Sequence, residues 1–291
     1  MNRKEWAQLT FGGMAGMMIP SGLADVFSTR VKGSSVILGA QTYSFRGMNL
    51  DDTLRGMNEL GLTSCELWEG HVVPLKIFRN RPALAKWRTS PDSMAEIEAV
   101  RQKFEKAGIT IQAYTVNMKD NITDEQLDHI FRMTKALGTD TITSSATVSV
   151  MPRLDVYAQK YGIYVAMHNH AHVDRPNEFS NPDSFARGME GRSDFIRINL
   201  DIGHATAANY DPASYMKMMH EKIMCIHVKD RKKNNGPRTY FGEGDTPIRE
   251  VLQLIRDNQW PIPANIELEY EGNTMTEMKR CVDYCRKVLA E

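Results

Sequence analysis

Two histidines and two carboxylates stand out because each lies at the end of a short apolar run that is typical of a buried strand. They are His168, Asp201, His227 and Glu267. Burying such groups without partners costs several kcal/mol each, so we expect them to share a counter-ion. Imidazole and carboxylate ligands together favour Mn²⁺, Zn²⁺, Co²⁺ or Fe²⁺ over an ion with oxygen ligands only, such as Ca²⁺. The pattern therefore predicts a divalent metal site.

The alternation of side chains along the last four predicted strands supports this site. A barrel strand points one set of side chains at the surrounding helices and the other set at the barrel axis. Aliphatic residues such as Ile198, Val228 and Ile266 occupy the outward positions. The inward positions then hold Ala166, His168, His170, Asn199, Asp201, Cys225, His227, Lys229, Asn265, Glu267 and Glu269. Barrel enzymes carry their active sites at the carboxyl ends of the strands, where the polar members of this set fall.

The predicted catalytic residues belong to the same inward set. They are Glu267, Lys229 and Glu269. Lys229 is suited to general acid or base duty, but a salt bridge to Asp230 or Glu269 explains it equally well.

Each predicted ligand also has a simpler explanation. Alone, His227 fits a core histidine with satisfied hydrogen bonds, and Asp201 fits a cap for the turn at Gly203. Glu267 alone fits a structural salt bridge to Lys229. Only the joint pattern favours a metal site.

Polar and aromatic residues on the early strands are candidates to bind a hydroxyl-rich ligand. The inward positions there hold Gln41, Tyr43, Glu66, Trp68, Gln112 and Tyr114. The predicted substrate-binding residues are Glu66, Trp68, His71, Tyr114, His170 and His204. Core packing explains the aromatic residues equally well. For His170 and His204, orienting a metal ligand is at least as good an interpretation as proton transfer.

Eight short apolar runs alternate with amphipathic stretches, which is typical of βα units. The predicted strands are 36–43, 63–68, 110–116, 139–145, 163–168, 195–201, 223–229 and 262–269. Helix start signals at Asp51, Ser90, Thr123 and Asp211 precede amphipathic segments, and Gly61, Gly108, Gly138 and Gly162 follow helices. Roughly 255 residues divided among eight units give about 32 per unit, which favours a single (β/α)8 TIM barrel over an open doubly wound sheet.

The composition is that of an ordinary globular protein, with 42% hydrophobic and 25% charged residues. Lys and Arg number 36, as do Asp and Glu, so the formal charge is zero and we expect no nucleic-acid partner. The chain has 4 cysteines and no C-x-x-C motif, so we expect no disulfide framework.

Residues 1–30 resemble an export leader. Arg3 and Lys4 precede a Gly- and Met-rich, moderately apolar stretch that ends in small residues. Its apolar part is about 14 residues long, whereas a membrane span needs about 20, so we predict no membrane span. We predict a barrel over residues 35–291 and export to the periplasm, or a cytoplasmic location if the leader is not a signal.

Short motifs distributed along the chain carry a family resemblance. They are AQTYSF (40–45), MHNH (167–170), LDIGH (200–204), HVKD (227–230), FGEGDTP (241–247) and IELE (266–269). Together they resemble the xylose isomerase-like TIM-barrel superfamily of sugar phosphate isomerases and epimerases, over the whole chain after the leader. The resemblance implies the same four metal ligands that the alternation indicates.

One position departs from that resemblance. Epimerases of the superfamily typically carry a metal-bound glutamate where His168 stands, and they pair it with the last-strand glutamate as acid and base on opposite faces of the substrate. Here only Glu267 of that pair is present, which argues against two-base epimerisation. The H-N-H variant with a leader resembles members that act on keto-sugars, including lyases that open a 3-keto-glycoside by β-elimination.

These observations predict a divalent-metal-dependent sugar isomerase or epimerase-type enzyme that abstracts a proton next to the carbonyl of a keto-sugar. The alternatives are a 3-keto-glycoside lyase or hydratase and a non-catalytic exported sugar-binding protein. Glu243 and Asp245 would repel a phosphate, so we expect an unphosphorylated sugar or glycoside as the small-molecule partner. A phosphodiesterase like the apurinic endonucleases would need more ligands and a basic face. An oligomer is compatible with the sequence.

Overall fold

The structure is a computed structural model, and it describes residues 36–291. The predicted leader, residues 1–30, lies outside the described residues, as does residue 35 at the start of the predicted barrel. Within residues 36–291, no helix is both long enough and apolar enough to cross a membrane.

Eight parallel strands form a closed barrel in which each strand pairs with the next along the chain. The strands are β1 Leu38–Gln41, β2 Ser64–Trp68, β3 Thr110–Thr115, β4 Thr141–Ser144, β5 Tyr164–His168, β6 Ile196–Asp201, β7 Ile223–Val228 and β8 Ala264–Ile266. Pairing of Leu38 with Ala264 closes the barrel. The predicted (β/α)8 barrel is therefore confirmed, although every strand is shorter than predicted.

Helices surround the barrel. They are α1 Leu50–Glu59, α2 Leu75–Phe78, α3 Arg81–Arg88, α4 Pro91–Ala107, α5 Asp124–Ala136, α6 Met151–Tyr161, α7 Pro182–Met189, α8 Ile202–Ala207, α9 Pro212–Met219, α10 Ile248–Asp257 and α11 Thr274–Ala290. The predicted caps of α4, α5 and α9 are confirmed, because the side chains of Ser90, Thr123 and Asp211 accept N–H groups of the first turn. The start predicted at Asp51 is wrong, since Asn49 caps α1 by accepting the N–H of Asp52 at 2.9 Å.

Two of the predicted glycine stops illustrate why these helices end where they do. Gly108 and Gly162 lie at the carboxyl ends of α4 and α6 with φ angles of 67° and 61°. A side chain strains this left-handed conformation, and glycine adopts it freely. Each helix therefore turns directly into the next strand.

The side-chain alternation predicted for β5 to β8 is confirmed, but that predicted for β3 is wrong. Along β2 and β3, the pairing passes from Cys65 with Ile111 to Glu66 with Ala113, so Gln112 is an extra residue in the ladder. Such a bulge moves every later side chain to the opposite face. Thr115 thus points into the barrel, where it hydrogen-bonds Glu66, and Tyr114 points to the helix layer.

The connection between β2 and α4 is longer than a simple βα turn, because it contains the two additional helices α2 and α3. Arg88 at the end of α3 makes two hydrogen bonds to Glu69, at 2.7 and 2.6 Å, and both side chains are almost completely buried. A bidentate pair of this kind fixes orientation as well as distance. It holds α2, and with it Phe78, against Trp68 at the mouth of the barrel, with ring centroids 5.0 Å apart.

Candidate metal centre and cavity

The four predicted metal ligands converge at the carboxyl end of the barrel. His168, Asp201, His227 and Glu267 come from β5, β6, β7 and the residue after β8, and each offers a ligand atom within 4.8 Å of the others. All four side chains are buried. Because each residue comes from a different strand, the closed barrel itself brings them together.

The chemistry of these donors fits a divalent cation. Four buried atoms of the set have no hydrogen bond of normal geometry: His168 Nδ1, Asp201 Oδ2, His227 Nδ1 and Glu267 Oε2. A buried polar atom without a partner costs about 1–3 kcal/mol; Lys229 offsets this cost for the two carboxylate oxygens, and a shared cation would satisfy all four atoms at once. Two imidazole nitrogens and two carboxylates suit Mn²⁺, Zn²⁺, Co²⁺ or Fe²⁺. The residues therefore fit the predicted cofactor.

The side chain of Asp201 can serve both as a cap of the following turn and as a metal ligand, the two roles considered from sequence. Its Oδ1 accepts the backbone N–H of His204 at 2.7 Å and so caps the short helix α8. Its Oδ2 faces the other ligands. The cap orients the carboxylate, so the structural and ligand roles are compatible.

Lys229 is a buried cation surrounded by carboxylates. Its Nζ lies 2.9 Å from Asp201 Oδ2, 2.9 Å from Glu267 Oε2 and 2.6 Å from Glu269 Oε2. Burial alone would lower the pKa of Lys229, but these three carboxylates outweigh it and raise the pKa above its ordinary value. Lys229 consequently keeps its proton at neutral pH, and of the two salt bridges considered from sequence the one to Glu269 is present.

The two outer carboxylates of this cluster are held in their ionised forms. Lys229 and His227 lower the pKa of Glu267 against the opposing effect of burial. Lys229 and Arg238 do the same for the pKa of Glu269, and Arg238 Nε lies 2.7 Å from Glu269 Oε2. Both carboxylates therefore present negative charge to the site.

Three further imidazole rings of the cluster stay neutral. Burial, reinforced by nearby positive groups, lowers the pKa of His168 and of His170 to about 3. Burial and Lys229 likewise lower the pKa of His204 well below its ordinary value. His204 Nδ1 lies 2.8 Å from Arg231 Nη1, and its Nε2 lies 3.2 Å from Lys229 Nζ. Neutral imidazole is the form that binds a metal or hydrogen-bonds a polar ligand.

A cavity of about 310 Å³ opens above the cluster. One side is polar and contains the predicted ligands His168, His227 and Glu267 together with Glu269. The other side is an aromatic wall formed by Tyr43, Trp68 and Phe78. A larger cavity, of about 700 Å³, is lined by residues such as Gln112, Asp140 and Pro263 and contains none of the predicted ligands. The smaller cavity is therefore the candidate site.

The predicted substrate-binding residues divide into two groups. Trp68, His170 and His204 line the cavity. Tyr114 does not, because the bulge at Gln112 turns its side chain away from the barrel axis. His71 does not either: its ring packs against Trp68 at 5.3 Å, and its Nε2 lies 3.4 Å from Thr53 Oγ1.

Glu66 borders the cavity but is not free to bind a ligand. Its side chain is fully buried, and its two oxygens accept hydrogen bonds from several strands. The structure therefore places Glu66 beneath the site, where its oxygens are taken up by neighbouring side chains, including His227.

Sequence reasoning missed several residues that shape the site. Thr143 on β4 could have been found by alternation, because it lies at an inward position. Thr115 could not, since the bulge inverts β3. Phe78, Arg231 and Arg238 lie on long connections that carry no periodic signal.

The FGEGDTP segment folds around a carboxylate of the chain itself. Asp230 accepts the backbone N–H groups of Gly242, Gly244 and Thr246 at 2.8, 3.0 and 3.2 Å. A side chain on Gly244 would collide with the Asp230 carboxylate. The N–H groups that could have held a phosphate are thus already occupied.

Comparisons with known proteins agree with this fold. The family model of the xylose isomerase-like TIM barrel matches residues 54–288. A comparison with curated proteins finds no match.

Three solved structures share the architecture. A sugar phosphate isomerase/epimerase from Parabacteroides distasonis has 15% identity and a TM-score of 0.62, covering 86% of this chain and 95% of that one. A 3-keto-D-glucoside 4-epimerase from E. coli has 12% identity and a TM-score of 0.64, covering 87% and 99%. A probable 3-DHS dehydratase from Bacillus anthracis has 15% identity and a TM-score of 0.62, covering 87% and 98%. At these identities the likeness shows the fold alone, whereas the family match shows that the chain belongs to the xylose isomerase-like TIM barrel family.

Proposed function

We propose that this protein is a divalent-metal-dependent sugar isomerase or epimerase-type enzyme that abstracts a proton next to the carbonyl of a keto-sugar. One observation carries the proposal: four buried ligand atoms without a hydrogen bond of normal geometry, from four successive βα units, face one another beside a cavity. His168, Asp201, His227 and Glu267 would hold the ion. When bound, such an ion polarises a carbonyl and stabilises the negative charge that develops after proton loss.

The residues around these ligands supply the remaining groups that proton abstraction needs. Glu269 is an ionised carboxylate at the cavity that does not belong to the four-ligand set, so it is the candidate base beside Glu267. Lys229 does not itself line the cavity; it holds its proton between the carboxylates and keeps Glu267 and Glu269 ionised. Trp68 and Phe78 offer apolar faces to the C–H side of a sugar ring.

An unphosphorylated substrate fits this site best. The backbone N–H groups of the FGEGDTP segment bind Asp230, and the cations Lys229 and Arg238 are already paired with Glu269. A phosphate would have to displace these carboxylates. We therefore propose a free keto-sugar or a keto-glycoside as the substrate class.

A second candidate reaction is β-elimination from a 3-keto-glycoside, catalysed as a lyase or hydratase. Among the described residues, the acidic side chains that line the cavity are Glu66, Glu267 and Glu269, and Glu66 is committed to internal hydrogen bonds. Glu267 and Glu269 follow the same strand, so they do not form a pair on opposite faces of a substrate. Elimination needs no second carboxylate on the opposite face of the substrate, so Glu269 can serve as the one base.

Proton NMR in D₂O tests both reactions. Metal-loaded protein is incubated with a 3-keto-glucoside and, separately, with free ketohexoses, against a chelator-treated control. Metal-dependent deuterium incorporation beside the carbonyl supports the proposal, and the product, an isomer or an enone, identifies the branch. No exchange and no product across the panel contradicts it.

The variant Glu267→Gln separates an enzyme from a non-catalytic exported sugar-binding protein. An enzyme loses turnover in this variant, whereas a binding protein keeps its affinity for the sugar. Calorimetric titration with the same sugars, run beside the activity assay, reads both quantities.

A further inference from the structure

We infer that Glu66 is a positioning residue that fixes the tautomer of His227 and thereby increases the affinity of the site for a divalent ion. This inference rests on the metal centre of the proposed function. It assigns Glu66 a role toward the metal ligand in place of the substrate contact that the sequence suggests.

Glu66 is immobilised as an anion at the centre of the barrel. Its side chain has no solvent exposure. Its Oε1 accepts hydrogen bonds from Gln41 Nε2 at 2.8 Å, Thr115 Oγ1 at 2.7 Å and Thr143 Oγ1 at 2.7 Å. These donors come from β1, β3 and β4, so three different strands set the position of the carboxylate.

The other oxygen of Glu66 is directed at His227. The distance from His227 Nε2 to Glu66 Oε2 is 2.8 Å. An ionised carboxylate can only accept hydrogen bonds, so Nε2 carries the proton in this contact, and the Asn199 amide 3.0 Å from the same nitrogen then turns its otherwise unpartnered oxygen toward it. Once the ring gives up its second proton to bind an ion, a proton fixed on Nε2 leaves Nδ1 as the nitrogen that can offer a lone pair.

The same geometry points Nδ1 of His227 at the other ligands. Nδ1 lies 2.9 Å from Glu267 Oε2 and 3.8 Å from Asp201 Oδ2, and it has no hydrogen bond of normal geometry. A carboxylate that accepts the second N–H of a metal-bound histidine fixes the ring and makes the ligand nitrogen more basic. Glu66 therefore acts on the ion through His227 without touching it.

A Glu66→Gln variant tests this role because it keeps the shape of the side chain and removes its charge. In the variant, an amide NH₂ group takes the place of Glu66 Oε2. The N–H group at His227 Nε2 then faces another donor and loses its acceptor. The matched control is Thr143→Val, which removes one hydrogen bond to Glu66 and leaves the contact with His227 intact.

Metal affinity is the first measurement. The full chain is freed of metal and titrated with Zn²⁺ or Co²⁺ alone, in competition with a chromophoric chelator at one fixed pH. We expect binding to weaken by about 10- to 100-fold in Glu66→Gln. We expect Thr143→Val to stay within roughly threefold of wild type. A Glu66→Gln affinity within that same range overturns the inference.

The nitrogen-15 spectrum of labelled histidine in the zinc-loaded wild type is the second measurement, and it does not depend on any variant folding. We expect His227 to carry its proton on Nε2 and to bind the ion through Nδ1. Coordination through Nε2, or a proton on Nδ1, overturns the inference. If the wild type binds none of the ions, the proposed metal centre fails as well; if it binds them and only the Glu66 results disagree, the failure is confined to this inference.

Discussion

The side chain of Asn169 is joined to the backbone of Asp201 by two hydrogen bonds. Asn169 Nδ2 donates to Asp201 O at 3.0 Å, and Asn169 Oδ1 accepts from Asp201 N at 2.9 Å. Asn169 is fully buried and is the middle residue of the H-N-H motif. It therefore ties the end of β5, which carries His168, to the end of β6, which carries Asp201.

Replacing Asn169 by alanine should weaken both the fold and the metal site. The change leaves the backbone N–H and C=O groups of Asp201 buried without partners. We expect the free energy of unfolding to fall by about 1–3 kcal/mol for each group. Urea unfolding of metal-free protein measures the first effect, and ion titration measures the second. An unfolding free energy within about 0.5 kcal/mol of wild type would show that the two bonds do not brace these strands.

Removing a metal ligand should abolish bound metal and activity together. In Asp201→Ala or His227→Ala, one of the four converging donors is lost, and three ligands hold an ion of this type much less tightly. Elemental analysis of purified protein gives the metal content, and the D₂O exchange assay gives the activity. His220→Ala is a matched control, because His220 stacks on Trp260 away from the cavity. Undiminished activity in a ligand variant that holds no metal would contradict the proposed centre.

The substitution Lys229→Met should destabilise the metal-free protein more than the metal-bound protein. Without the ammonium ion, Asp201, Glu267 and Glu269 become buried negative charges without their common partner, which costs roughly 3–5 kcal/mol. A divalent ion supplies positive charge to the first two. Urea unfolding with and without added metal measures the difference.

Lys232→Met is the control for this prediction, because Lys232 is an exposed lysine three residues further on that pairs with Asp245. We expect it to change the unfolding free energy by less than about 0.5 kcal/mol. Equal losses for Lys229→Met with and without metal would show that the ion does not share the carboxylates with Lys229.

Truncating Phe78 should weaken binding of a substrate with a ring next to the sugar. Phe78 packs on Trp68 and lines the cavity, and an aromatic contact is worth about 1 kcal/mol, so we expect KM for a phenyl 3-keto-glucoside to rise roughly fivefold in Phe78→Ala. The exposed Leu75 in the same helix does not line the cavity, and Leu75→Ala is the control. Equal KM values for wild type and Phe78→Ala would remove Phe78 from the substrate site.

The fold and the convergence of the four candidate ligands were predictable because independent strands indicated the same arrangement. On β5 to β8, each run of aliphatic residues such as Ile198 and Val228 fixes which face is buried against the helices, and the alternation then places the polar residues on the axis. The side chain of Tyr114 was assigned to the wrong face of β3 because the bulge at Gln112 cannot be recognised from the alternation of polar and apolar residues. Arg231 and Arg238 were not predicted because they lie on a long connection without a periodic pattern. Their contacts with His204 and Glu269 follow only from the tertiary structure.

Because of the bulge at Gln112, the number of residues in β3 decides which of its side chains face the barrel axis. No single substitution has that effect. Loss of that one residue would restore regular pairing with β2, so Tyr114 would turn toward the barrel axis and Thr115 would turn away. Glu66 would then lose a hydroxyl donor, and the cavity would gain a phenol in its place. An insertion or deletion of one residue within a strand would therefore exchange a whole set of cavity side chains in a single step.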